Sequence, residues 1–339
     1  MEHINKEKSY NYMVMISCLT YNHEKYIDDA LKGFIIQETC FPFLVIVVDD
    51  ASTDNEQNIL NYFIENELDT TSRKKDETED YIKITAQHKK NNKCTFAIFL
   101  LKYNHYGKKL KSTYYKDLRN SAKYIATCEG DDYWTDPLKL QKQVDYLENH
   151  PECGLVYTNA QILDQESGII FSTTLPRQTD FEHLLLESPI MTLTTCYRNS
   201  CLSGFFFNPN WRMSDLPMWL YIAARFTVKY LPDVTATYRK LSNSISHFNN
   251  INKAVSFSLN SFDIRLFFAK EYHREHLIPK MAKVQINELF KIAISYNKNI
   301  SGQIMRFALK HKVFDIKTWA KIILYTTKLG RIYHQRKYA

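Results

Sequence analysis

The chain has 339 residues, 45% of them apolar, enough to bury the core of one or two domains and too many for a disordered protein. Its formal net charge is +7, but nine Lys/Arg against the single acid Asp315 lie in residues 301–339, so the basicity belongs to the tail and not to a nucleic-acid-binding core. Seven cysteines without a CxxC pair read as buried thiols. No apolar run reaches the roughly twenty residues of a spanning helix, and residues 1–10 lack the apolar core of a secretory leader, so a cytoplasmic protein is expected.

Residues 13–18 and 43–48 are short runs rich in Val and Ile, and between them Ile27, Ala30, Leu31 and Phe34 recur at helical spacing. That pattern predicts a strand, helix, strand unit. The alternation continues with a helix over 55–67, a weak strand over 82–86, a strand over 124–128 and a helix over 137–149. Residues 68–80 are polar and predict a solvated loop. From 159 to 214 the pattern is mixed, with strands expected near 169–173 and 204–207. Beyond Asn250, Phe262, Leu266 and Phe267, then Ile286, Leu289, Phe290 and Ile294, mark helices. The whole predicts an α/β fold with a mostly parallel sheet flanked by helices and a C-terminal helical extension.

Three blocks carry chemistry. Asp49-Asp50-Ala51-Ser52-Thr53-Asp54 follows the second strand, where ligands of open α/β sheets bind. Thr53 and Glu56 have the spacing of a capping box, which leaves the two preceding carboxylates to be explained otherwise, and Asp50 can accept hydrogen bonds from a base or ribose. The first strand ends in Thr20-Tyr21-Asn22-His23, where Tyr21 offers a ring to a nucleobase and Asn22 a helix cap. His23 has no partner histidine nearby in sequence. The strongest signal is Glu129-Gly130-Asp131-Asp132-Tyr133-Trp134, with three carboxylates in four residues, whose repulsion calls for a cation. Hard oxygen ligands suit Mg²⁺ or Mn²⁺, with substrate phosphates completing the shell. Asp136 and Pro137 read as a cap and first residue of the next helix.

In this order and at this spacing the blocks resemble the family 2 glycosyltransferases, of GT-A fold, over residues 12–247. The 129–134 block is similar to the form of the metal motif seen in bacterial surface-polysaccharide enzymes, with Glu129 where aspartate is usual. The resemblance implies that Leu19 and Tyr21 line the nucleobase pocket, that Asp50 contacts the base, and that Glu129, Asp131 and Asp132 share ribose and metal duties, Asp131 and Asp132 holding the cation. Residues 214–219 resemble the acidic motif beside the acceptor pocket, so that Asp215 is the catalytic base; the bare sequence also allows Asp215 as a helix-start residue favoured by the helix dipole. Arg239, Lys240 and His247 are candidates for the diphosphate.

The implied activity is metal-dependent transfer of a sugar from a nucleoside-diphosphate donor, a UDP-sugar on family grounds, to a hydroxyl of a glycan or lipid-linked acceptor, with inversion. Residues 1–250 are expected to form the transferase domain, with donor half 12–160 and acceptor half 160–250, and 251–339 a helical region with a basic tail. Two other readings stay open: a sugar-nucleotide nucleotidyltransferase, against which stands the lack of any glycine from Met1 to Lys32, and a non-catalytic nucleotide-sugar or glycan-binding module. The tail, with Trp319, Ile322, Ile323, Leu324, Leu329 and Ile332 among Lys317, Lys321, Lys328 and Arg331, reads either as a helix packed on the core or as peripheral contact with an anionic membrane.

Overall fold

The computed structural model describes residues 9–108, 111–172, 179–241 and 250–327, in two units. The first combines Met1–Arg177, Ile190–Ser203 and Phe226–Lys240. It runs β1 (Tyr12–Thr20), α1 (Ile27–Ile35), β2 (Phe43–Asp49), α2 (Glu56–Glu67), β3 (Lys74–Glu77), β4 (Tyr81–Gln87) and β5 (Cys94–Leu101). There follow α3 (Lys111–Tyr114), α4 (Lys116–Asn120), β6 (Ala122–Thr127), β7 (Tyr133–Trp134), α5 (Lys139–Asn149), β8 (Cys153–Asp164), β9 (Ile170–Ser172), β10 (Thr195–Arg198) and β11 (Thr227–Lys240).

These strands make one sheet in the order β3-β4-β5-β2-β1-β6-β10-β8-β11-β7, with β9 beside β8. The centre, β5-β2-β1-β6, is parallel, and so is the β8/β11 pair. β10 runs antiparallel between β6 and β8, and β3 and β4 close the other edge antiparallel. The expected α/β architecture, a mostly parallel central sheet flanked by helices, is the one found.

All seven residues of β2 are buried, as a strand covered on both faces requires, and each buried aliphatic side chain there contributes roughly 1.5–3 kcal/mol. Ile27, Ala30, Leu31 and Phe34 form the buried stripe of α1. Gly33 lets that helix lie directly on β7: a Cβ there would sit 2.8 Å from the Trp134 amide nitrogen. The Phe34 ring meets Trp134 edge-on at 5.2 Å.

Several local expectations are corrected. Residues 68–80 contain β3, an exposed edge strand, and 204–207 are irregular, with Gly204 at φ +74°. The Thr53/Glu56 capping box does not form: α2 starts after Asn55 without a side-chain cap, because Glu56 turns inward to other donors. Asn22 caps no turn of α1, which starts after Tyr26. Asp136 accepts the Leu138 amide at 2.9 Å, and α5 begins one residue later than that, so Pro137 lies in the preceding turn.

The second unit, Gln178–Pro189 with Gly204–Arg225 and Leu241–Ala339, is helical: α6 (Phe181–Leu186), α7 (Asp215–Ala223), α8 (Ile251–Glu271), α9 (Ile278–Ser295), α10 (Ser301–Lys310) and α11 (Ile316–Thr326). Phe262 of α8 packs on Phe307 of α10 at 5.0 Å, and Phe290 of α9 on Tyr325 of α11 at 5.2 Å. Asp180, Asn250 and Asp315 cap α6, α8 and α11 through their side chains. No helix among the described residues is long and apolar enough to cross a membrane.

Candidate active site

Loops leave the carboxyl ends of β1, β2 and β6, and the parallel registers bring them level: Thr20 stands opposite Asp49, and Ser17 opposite Thr127. Backbone hydrogen bonds extend the pairing beyond the strands. Asp50 N–H donates to the Thr20 carbonyl at 3.0 Å, Cys128 N–H to Ser17 at 3.1 Å and Gly130 N–H to Leu19 at 3.1 Å. The three blocks, the first and third more than a hundred residues apart in sequence, therefore meet at one end of the sheet. Gly130 is required for the meeting, since a Cβ there would lie 2.6 Å from Thr20 Cβ and 3.0 Å from His23 Nδ1.

Glu56 ties the first two loops together. Fully buried, it accepts the Thr20 hydroxyl, the His23 N–H at 2.8 Å and the Ser52 hydroxyl at 2.9 Å. Burial pushes its carboxyl above the usual range, and these donors pull it back. Asn22, at φ +57°, accepts the Thr53 N–H at 2.7 Å, and Ala51 holds φ +59°, a left-handed conformation costly for a residue with a side chain.

The acidic block divides by environment. Glu129 is exposed, Asp131 half-buried with Oδ2 4.0 Å from His23 Nε2, and Asp132 buried, with Oδ1 accepting the Arg239 N–H at 2.7 Å. Burial, then the neighbouring Asp131, drives the Asp132 carboxyl well up. Arg239 grips the same loop: its guanidinium donates to the Asp131 carbonyl at 3.0 Å and to Asp29, and lies over the rings of Tyr133 at 4.3 Å and Tyr26 at 5.1 Å. Arg239 thus holds the loop, and Lys240 pairs with Asp164 at 3.1 Å; both candidates for the diphosphate have carboxylate partners, while His247 lies outside the described residues.

The donor set fits a hard divalent cation. An accessible carboxylate on Asp131, an exposed one on Glu129 and a buried one beside them crowd negative charge that a cation would offset. Among the described residues no group of three or more His, Cys, Asp or Glu side chains is placed to hold a metal ion; Mg²⁺ and Mn²⁺ characteristically use one or two carboxylates with substrate phosphates.

Asp50 is buried, and its carboxylate is occupied. Oδ1 accepts the His105 N–H at 2.7 Å and Oδ2 meets Lys111 Nζ at 2.7 Å, while Asn104 donates to the Asp50 carbonyl at 2.9 Å. His105 is itself oriented by the Tyr114 hydroxyl at 2.9 Å and by stacking on Tyr103. Lys111 and His105 are the site residues that sequence reasoning missed; nothing in a polar stretch some sixty residues downstream marks them as partners of Asp50. Leu19 is half-buried and Tyr21 exposed at the mouth of the β1 loop.

Behind the acidic loop, Lys139 is wholly buried. Its amine lies 4.2 Å above the Trp134 ring and donates to Gln143 at 2.7 Å, and burial lowers its pKa to about 8. Trp134 in turn donates its indole N–H to the Leu193 carbonyl at 2.8 Å. Asp215 lies in the second unit as the first residue of α7, its carboxylate accepting the Leu216 N–H at 2.8 Å, and it attracts the buried guanidinium of Arg265.

Residues 16–94, which span β1 through the start of β5, match the model of glycosyl transferase family 2. An uncharacterized protein of Mycobacterium tuberculosis is 31% identical over 68% of this chain and 60% of its own length, so the chain spans about 60% of the length of the first curated relatives it matches. TuaG of Bacillus subtilis (strain 168), whose name assigns it to teichuronic acid biosynthesis as a glycosyltransferase, is 24% identical over 70% of this chain and 83% of its own. The structure of S. aureus TarS 1-349 in complex with UDP-GlcNAc superposes with a TM-score of 0.59 at 15% identity, covering 96% of this chain and 89% of that one. The fold around the matched segment is accordingly the GT-A fold, and the acidic block lies downstream of the matched residues, just after β6, the strand that pairs with β1.

Proposed function

We propose that the chain is a glycosyltransferase that moves a sugar from a nucleoside diphosphate, a UDP-sugar, to an acceptor hydroxyl with inversion, in the assembly of a cell-surface polysaccharide or glycoconjugate on a glycan or lipid-linked acceptor. The observation that carries this reading is the junction of the β1, β2 and β6 loops through the Asp50–Thr20 and Gly130–Leu19 backbone bonds. It supports a single site in which Leu19 and Tyr21 face a nucleobase, Asp50 accepts from that base in exchange for its Lys111 contact, and the acidic block receives the diphosphate end. The names of TuaG and of the TarS complex, one for a polysaccharide and one for UDP-GlcNAc, support the acceptor and donor classes.

Asp131 would hold the cation in this reading, with Glu129 toward the ribose. Asp132, anchored on the Arg239 amide, sets the loop, and its carboxylate would be the second cation ligand. When bound, Mn²⁺ or Mg²⁺ supplies neutralisation of the charge that grows on the departing nucleoside diphosphate. Asp215 takes the proton of the attacking acceptor hydroxyl, and a single displacement at the anomeric carbon inverts its configuration.

Calorimetric titration with nucleoside diphosphates, with and without Mn²⁺, tests the reading. Metal-dependent binding of UDP that is lost in Asp131→Asn is expected; a folded protein that binds no nucleotide would overturn it.

A further inference from the structure

The C-terminal helices carry a surface that the proposed catalysis does not use. On α11, Ile322 and Tyr325 are buried against the rest of the second unit, and the opposite face is apolar too. Ile316, Ala320, Ile323 and Leu324 follow the i, i+4, i+7, i+8 spacing of one stripe, and Ile316 is 85% and Ile323 58% exposed. Phe314, two residues before the helix, is 66% exposed. A surface helix that buries one side ordinarily turns a polar side to water, so a second apolar stripe of this length needs an occupant.

The charge around the stripe selects that occupant. Lys317 borders it, Lys310 and Lys312 are exposed in the preceding turn, and the one acid of residues 301–339, Asp315, is held by Lys283 at 3.3 Å and by capping α11. Residues 328–339 add Lys328, Arg331, Arg336 and Lys337 with no acid. A basic rim around exposed Ile, Leu and Phe is the composition of a helix lying in the interface of an anionic bilayer, where apolar side chains enter the acyl boundary and lysines meet lipid phosphates. A like-charged rim on a second copy would repel this face.

We propose that the exposed stripe of α11, with Phe314, docks the protein on anionic lipid membrane. The proposal is independent of the transferase reading, because docking requires neither nucleotide nor metal.

The test is cosedimentation of the full chain with sucrose-loaded vesicles of phosphatidylcholine containing about one-third phosphatidylglycerol, against vesicles of phosphatidylcholine alone. Binding to the anionic vesicles only, reduced in high salt and weakened about tenfold or more in Ile323→Glu/Leu324→Glu, is expected. Ile316→Asn, at a position with almost no neighbours to disturb, should weaken it less but detectably, and circular dichroism confirms that both variants remain helical. No binding of the wild-type chain to anionic vesicles, or unchanged binding in both folded variants, would overturn the proposal. So would a wild-type dimer in light scattering that Ile323→Glu/Leu324→Glu converts to a monomer, since the stripe would then be an interface between copies.

Discussion

Lys111 Nζ lies 2.7 Å from Oδ2 of Asp50, whose side chain is only 3% exposed. A carboxylate buried to that degree depends on its cation, and removing one partner of such a pair leaves an uncompensated charge. Because Lys111 keeps some solvent contact, Lys111→Met is expected to cost about 1–3 kcal/mol of folding stability in urea denaturation. The double variant Asp50→Asn/Lys111→Met should cost less than the sum of the single ones. Additive effects would mean that the pair contributes nothing. In the proposed site, Asp50→Asn also weakens UDP binding, because the charged acceptor for the base is gone.

Asp131 and Asp132 are adjacent in sequence yet predict opposite phenotypes. Asp132→Asn keeps an acceptor for the Arg239 N–H while removing a buried charge that Asp131 and Glu129 repel, so the metal-free protein should be unchanged or stabilised by about 1 kcal/mol in thermal denaturation. Asp131→Asn should leave stability almost unchanged and abolish the Mn²⁺ dependence of nucleotide binding. Loss of the metal dependence in neither variant would move the cation site elsewhere.

Gly130→Ala tests the junction of the loops. The added methyl meets the Thr20 side chain and His23 with no free space, and Thr20 cannot retreat without releasing Glu56. A cost of about 2–3 kcal/mol is expected from overpacking, together with a loss of UDP affinity larger than that in Gly33→Ala, which presses α1 against the Trp134 backbone at the far end of the acidic block.

The central architecture was legible because β2 is buried throughout and reads as an unbroken apolar run, and β1 and β6 are mostly buried and apolar. β11 was not, since Pro232 and alternating Lys, Asp and Thr residues belong to a long strand near the sheet's far side, where one face stays wet. The acidic block could be read because its carboxylates are contiguous. Lys111 and Arg239 could not, because each acquires its role from a partner brought close only by folding: Asp50 in one case, Asp29 and the Asp131 carbonyl in the other. The misread capping box has the same origin. Glu56 had the right spacing from Thr53, but the tertiary donors Thr20 and His23, with the nearby Ser52 hydroxyl, outcompete that cap.

Lys139 provides a pH signature. Its folded pKa of about 8 lies below the ordinary 10.5, so the unfolded chain binds the proton more tightly than the folded one. Below pH 8 both states are protonated and the whole cost of burying the charge is present. Between about pH 8 and 10.5 the folded state sheds the proton first and stability rises with pH, by on the order of 2–3 kcal/mol. Buried thiols such as Cys128, held above their usual range by burial, act in the opposite sense as unfolded thiols ionise. The Lys139 contribution is therefore isolated as the difference between wild type and Lys139→Met in urea denaturation across that window. Lys139→Met should be the more stable of the two at pH 7, with the gap closing toward pH 10.5; a gap independent of pH would mean that the buried amine keeps its ordinary pKa in the folded protein.

Asp215→Asn separates chemistry from binding. Asp215 opens α7, and its charge acts on the buried guanidinium of Arg265. The amide keeps the shape and the acceptor for the Leu216 N–H, so folding should be preserved, and UDP affinity should stay within about twofold because the nucleotide is assigned to other residues. Turnover, read as UDP released from a donor in the presence of acceptor, should fall by about 10²–10⁴, the range that general-base catalysis supplies. If Asp215→Asn retains full turnover, the base is another residue. If it loses UDP binding as well, Asp215 supports the donor instead of the acceptor, and the proposed division of labour fails.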